Sequence, residues 1–85
     1  METNPLYYGL SSHTKLEDLG TNRLGIRKVL KSRIIQKDAA KIVAIADQLK
    51  SVTPAVEVTL ICTRNICSKS LALLESKGIG VLQVD

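Results

Sequence analysis

The amino-acid sequence predicts a single small α/β domain with a short, mostly parallel sheet flanked by helices. Three observations carry that expectation. The chain has 85 residues, enough for one domain spanning 1–85, and no linker, low-complexity tract or internal repeat divides it. Its apolar fraction of 45% is almost wholly aliphatic, with no Phe or Trp and only Tyr7 and Tyr8 as aromatics, which suits strands covered by helices. Beyond Gln36, stretches of helical period alternate with stretches that read as strands. That alternation implies crossover connections and parallel neighbours.

Taken in order, residues 5–10 are short, apolar and bounded by Pro5 and Gly9, which predicts a brief strand. Thr14 and Glu17 have capping-box spacing: the Thr hydroxyl accepts from the third backbone amide and the Glu reaches back to the cap. Gly20 would then close a single helical turn in a left-handed conformation. The stretch 24–34 supports two readings. As a helix it places Ile26, Val29, Leu30 and Ile34 on one face and Arg23, Arg27 and Lys31 on another. As a strand it is rich in β-branched residues but alternates poorly. Strand is preferred, because the helix that follows starts afresh at Gln36.

Over 36–51, Ile35, Ala39, Ile42, Val43, Ala46 and Leu49 recur at helical spacing, with Lys37, Lys41 and Gln48 opposite. Pro54 ends the connection. Residues 56–62 set Val56, Val58, Leu60 and Cys62 against Glu57, Thr59 and Ile61, a strand pattern. Asn65 or Ser68 caps a second helix through Lys77, with Leu71 and Leu74 inward and Gly78 as its stop. Residues 79–84 form the last strand, and Asp85 follows so closely that a partner or further segment is expected to complete the sheet.

Charge distribution narrows the function classes. The formal net charge is +4, and seven of the twelve basic residues lie between 23 and 41: Arg23, Arg27, Lys28, Lys31, Arg33, Lys37 and Lys41. Asp38 is the only acid among them. Such a run reads either as a solvated face or as a footprint for a polyanion, where released counterions favour phosphate contact. No apolar run approaches the ~20 residues of a membrane span, and no export pattern opens the chain, so the expected compartment is the cytoplasm with no membrane partner. Two cysteines and one distant histidine, His13, fall short of a disulfide scaffold or a zinc site; no metal or cofactor is expected.

Between the third strand and second helix, Cys62, Thr63, Arg64, Asn65, Ile66, Cys67 and Ser68 occupy a turn whose amides and helix dipole could hold an anion. Cys62, Arg64, Asn65 and Cys67 are the candidate thiol or oxyanion residues there. The turn resembles the phosphate loop of low-molecular-weight tyrosine phosphatases and arsenate reductases, which implies Cys62 as nucleophile. Ser68, however, stands where that family has its essential arginine. Residues 73–79 are similar to the passage after the glutaredoxin active site, but Arg64 falls where the first redox cysteine would be. More of the chain, from Asn22 through Val29 and on to Gly78 and Ile79, resembles the second half of restriction-endonuclease-like nucleases of the methylated-DNA restriction type. That resemblance implies a central strand over 24–33, with Asp18 as an acid and Lys28 or Lys31 as a base. Ile26 and Val29 stand where the family carries its second acid or glutamine. The resemblance thus implies a topology without a catalytic carboxylate pair.

Two functions follow as expectations. The first is a non-catalytic domain that contacts nucleic-acid phosphates through the basic run. The second is an interaction or assembly domain, a homodimer or a module docked on a larger protein, completed through an exposed sheet edge.

Overall fold

A computed structural model describes residues 2–29 and 33–84. It is a two-layer α/β domain: a mixed four-stranded sheet with two helices packed together on one face. A 3₁₀ turn, Pro5–Tyr8, is followed by β1 (Leu16–Gly20), β2 (Arg23–Lys28), α1 (Gln36–Val52), β3 (Glu57–Cys62), α2 (Ser68–Ser76) and β4 (Gly80–Gln83). Strand order in the sheet is β1-β2-β3-β4. The first pair is antiparallel and the other two are parallel, so the mostly parallel α/β expectation holds with a hairpin at its head.

Strand alternation divides the sheet's side chains between two environments. Leu24 and Ile26 of β2 and Val58, Leu60 and Cys62 of β3 are buried beneath Ala39, Ile42, Ala46 and Leu49 of α1 and Leu74 of α2. Among the described residues the opposite face carries no α-helix. There Ile61 is buried outside the main core, lying with Leu19 over Gly25. A Cβ on Gly25 would stand 2.5 Å from Ile61 Cδ1 and 3.0 Å from Leu19 Cδ1, so glycine is what lets these two side chains cross the strand.

Two local expectations are corrected. Residues 5–8 form a 3₁₀ turn rather than a strand, because Asn4 caps it, Pro5 sits at its start and Gly9 closes it in a left-handed conformation. The turn docks on α1 through Gln48 Nε2, which donates to the Tyr8 carbonyl at 2.7 Å. Residues 16–20, expected as a helical turn, form β1. Glu17 does not reach back to a cap; it lies opposite Gly25 and extends to Arg27. The hairpin turn is made by Gly20 at φ 133° and Asn22 at φ 58°, with Asp18 Oδ1 accepting from the Gly20 amide at 3.0 Å. That bond is the main reason the Asp18 carboxyl titrates below its ordinary range.

The stretch with two readings resolves as strand β2 through Lys28. Leu30 and Lys31 lie outside the described residues. α1, β3, α2 and β4 occupy the expected stretches, with ends differing by one or two residues.

Candidate functional site

The parallel strands β2, β3 and β4 all end at one pole of the domain, and the helices α1 and α2 begin there. Two helix N-termini gathered at one pole favour negative charge there. Two connections meet at this pole and are tied together. The Ile34 amide donates to the Asn65 carbonyl at 2.9 Å, and the Cys67 amide donates to the Ile34 carbonyl at 3.0 Å. Ile34 and Ile66 thereby form a parallel bridge beyond the strand ends. Arg33 and Arg64, each within one or two positions of that bridge, come to the same end of the molecule.

Cations collect here from separate parts of the chain. Lys28 ends β2, Arg33 precedes the bridge, Lys37 lies in the first turn of α1, Arg64 follows β3, and Lys69 lies in the first turn of α2. Because β1 runs antiparallel, Lys15 reaches the same pole, its carbonyl accepting from the Arg27 amide at 2.9 Å. The acid Asp38 is here as well, but its carboxylate accepts the Ile35 amide at 3.1 Å and is spent on the helix start. Among the described residues, Lys15, Lys28, Arg33, Lys37 and Lys69 make no ion pair. Both helix N-termini add positive potential to them.

The basic run is thus redistributed rather than presented as one stripe. Arg23 lies at the far end of β2, 3.9 Å from Glu57 in a well-exposed pair. Arg27 is held by Glu17, with Nη1 3.3 and 3.2 Å from the two carboxylate oxygens. Strand alternation sends Arg27 to the open face and Lys28 towards the helices. Lys41 continues from Lys37 one turn along α1, and Lys31 is outside the described residues. Arg23 and Arg27 are therefore already answered by carboxylates. Lys15 and Lys69, which lie outside the basic run, join the group that is not.

The two cysteines separate sharply. Cys62 ends β3 with no exposed surface among the core side chains, and burial pushes its thiol up. Alternation points it under the helices and away from the turn, unlike the nucleophile that the phosphatase resemblance implies. Cys67 is partly exposed and caps α2, its sulfur accepting the Ser70 amide at 3.4 Å. The Ser70 hydroxyl, 2.8 Å away, is the leading reason its thiol is lowered, aided by that amide and by the charge of Arg33. Ser70 is itself fully buried, its hydroxyl oxygen also 3.5 Å from the Ile34 carbonyl. Arg64 and Asn65 are exposed in the connecting turn, the Asn65 amide donating to Thr63 Oγ1.

The thiols yield a direct test. Iodoacetamide near neutral pH should label Cys67 in the folded domain, while Cys62 should react only in denaturant. Labelling of Cys62 in native conditions would contradict its burial. The pH signs are opposite. The raised Cys62 value contributes stability that is fully present below the ordinary thiol pKa and lost as pH rises through the folded value. The lowered Cys67 value contributes stability above the ordinary thiol pKa, lost as pH falls through the folded one. Replacing Cys67 by Ser should therefore leave a domain whose stability declines more steeply above pH ~8.5.

Among the described residues no three His, Cys, Asp or Glu side chains gather as a metal site, and no helix is long and apolar enough to cross a membrane. Compared with known proteins, the chain matches no family model, no curated protein and no solved structure.

Proposed function

We propose that this domain is a non-catalytic module that holds nucleic-acid phosphates at the carboxyl pole of its sheet, chiefly through Lys28, Arg33, Lys37 and Lys69. What supports this reading is the convergence there of cations without carboxylate partners and of two helix starts. Each cation gains by displacing counterions from a phosphate, and helix N-termini favour the same negative charge. The surface has no aromatic platform: Tyr7 and Tyr8 stack edge to face, 5.0 Å apart, on the turn that packs against α1. Binding should therefore follow the backbone and read little sequence. Fluorescence anisotropy with a labelled duplex tests it. Micromolar binding at low salt is expected, falling with a log–log slope of about −0.9 for each phosphate neutralised. Undetectable binding at about 50 mM salt would overturn the reading.

One observation favours an assembly reading beside it. β4 pairs on one side only, and its residues, Gly80 to Gln83, include no charge or proline to guard the edge. Leu82 on this strand is 47% exposed. On this reading two copies pair through β4 and extend the sheet. Light scattering should then give twice the chain mass at tens of micromolar, as a flat unguarded edge invites. Leu82→Lys should return it to one chain mass. A single chain mass for the unaltered protein across that range would retire this reading.

A further inference from the structure

Beside the basic pole, a depression of about 360 Å³ opens between the residues before β1 and the end of β2, lined by His13, Lys15, Arg27, Lys28 and Val29. It continues towards α1 over Thr14, Ile26 and Ile45. We infer that this depression takes a phosphomonoester dianion, either at the end of a nucleic-acid strand or on a free nucleotide. The inference deepens the polyanion reading and rests on it.

Charge, shape and wall chemistry carry the inference. Two ammonium groups serve the depression, Lys15 just before β1 and Lys28 at the end of β2, and neither makes an ion pair among the described residues. Arg27 contributes a wall whose charge Glu17 already offsets. His13 also lines the depression. A phosphomonoester carries close to two charges at neutral pH and presents three acceptor oxygens, so it can satisfy both lysines at once. A phosphodiester within a strand carries one charge and offers fewer free oxygens. Ile26 and Ile45 line the depression on the side of α1 and Val29 lies at its open side; no Phe, Tyr or Trp is among its lining residues, and His13 brings the one ring. The phosphate and its sugar are what such a pocket can grip.

The test is an amide-shift NMR titration of the full chain with a nucleoside 5′-monophosphate, its uncharged nucleoside and a dinucleoside phosphodiester. The monophosphate should shift the amides of His13, Lys15, Lys28 and Val29, the nucleoside should not, and the diester should bind several-fold more weakly. Lys15→Ala combined with Lys28→Met, which keeps the half-buried Lys28 stem while removing its charge, should weaken the monophosphate about ten-fold or more. Lys77→Ala, at the far end of α2, should leave it unchanged. A 5′-phosphorylated oligonucleotide that outbinds its 5′-hydroxyl twin identifies a strand end as the source. A gain confined to the mononucleotide identifies a free nucleotide. Absent shifts at those amides, or equal affinity for monoester and diester, overturns the pocket, and salt-dependent duplex binding alongside would leave the broader phosphate reading in place. Monophosphate binding without duplex binding would instead strike the broader reading and keep the pocket.

Discussion

Changing Arg33, Lys37 and Lys69 together to glutamate is expected to abolish duplex binding while leaving the domain folded. All three are exposed and make no ion pair among the described residues, so each substitution removes a phosphate contact and adds repulsion. Hydrogen bonds to charged groups contribute roughly 1.5–3 kcal/mol each, and three such losses exceed a hundred-fold in affinity even when exposure screens them heavily. Folding should not suffer. Residues 37 and 69 lie in the first turns of α1 and α2, where an acid is favoured by the helix dipole by about 0.3–1 kcal/mol. The expected signature is therefore a melting temperature held or raised alongside lost anisotropy. Retained affinity in this variant would remove the carboxyl pole as the binding surface.

Leu60→Ala should be the most damaging single core substitution of its size. Leu60 has no exposed surface, sits in the interior strand β3 between Ile26 and Val81, and faces the helices. Truncating a buried leucine costs about 2–5 kcal/mol, because the lost transfer energy is joined by the cavity left behind. A domain of this size holds on the order of 4–13 kcal/mol in total. Urea unfolding followed by circular dichroism should show the midpoint lowered by a large fraction. Leu82→Ala, on half-exposed β4, should move it by no more than ~0.5 kcal/mol. A loss below ~1 kcal/mol for Leu60→Ala would mean that the two-layer core is not packed as described.

The second half of the fold was legible because periodicity survives wherever one side of an element is buried. Ala39, Ile42, Ala46 and Leu49 mark the inner side of α1, and Val58, Leu60 and Cys62 mark that of β3. The first half was not. β1 is an edge strand whose Leu16 and Leu19 fall on opposite faces across an irregular register between Asp18 and Gly20, so no alternation appears. Thr14 and Glu17 reproduce the spacing of a helix cap by coincidence, and only the pairing with β2 decides against it. The Gly20 and Asn22 pair was the available sign of a hairpin turn. As for the site, a run of bases is visible in a sequence, but its neutralisation is not. Glu17 and Arg27 are ten residues apart, and Glu57 meets Arg23 only through parallel pairing. Cys67 could have been distinguished from Cys62 by Ser70, three positions on at the start of a helix, which is the spacing of a cap and its partner.

The sheet order β1-β2-β3-β4 has a consequence for how the chain acquires its structure. Every strand lies beside the one made immediately before it, so none must be threaded between two that are already paired. The β1–β2 hairpin can form alone from near neighbours, within microseconds on the usual scale for hairpins. Each later helix–strand unit then adds to the growing edge, and the slow events are two successive loop closures rather than one global search. On a ribosome the same order lets structure accumulate in the direction of synthesis, each edge being covered as its successor emerges.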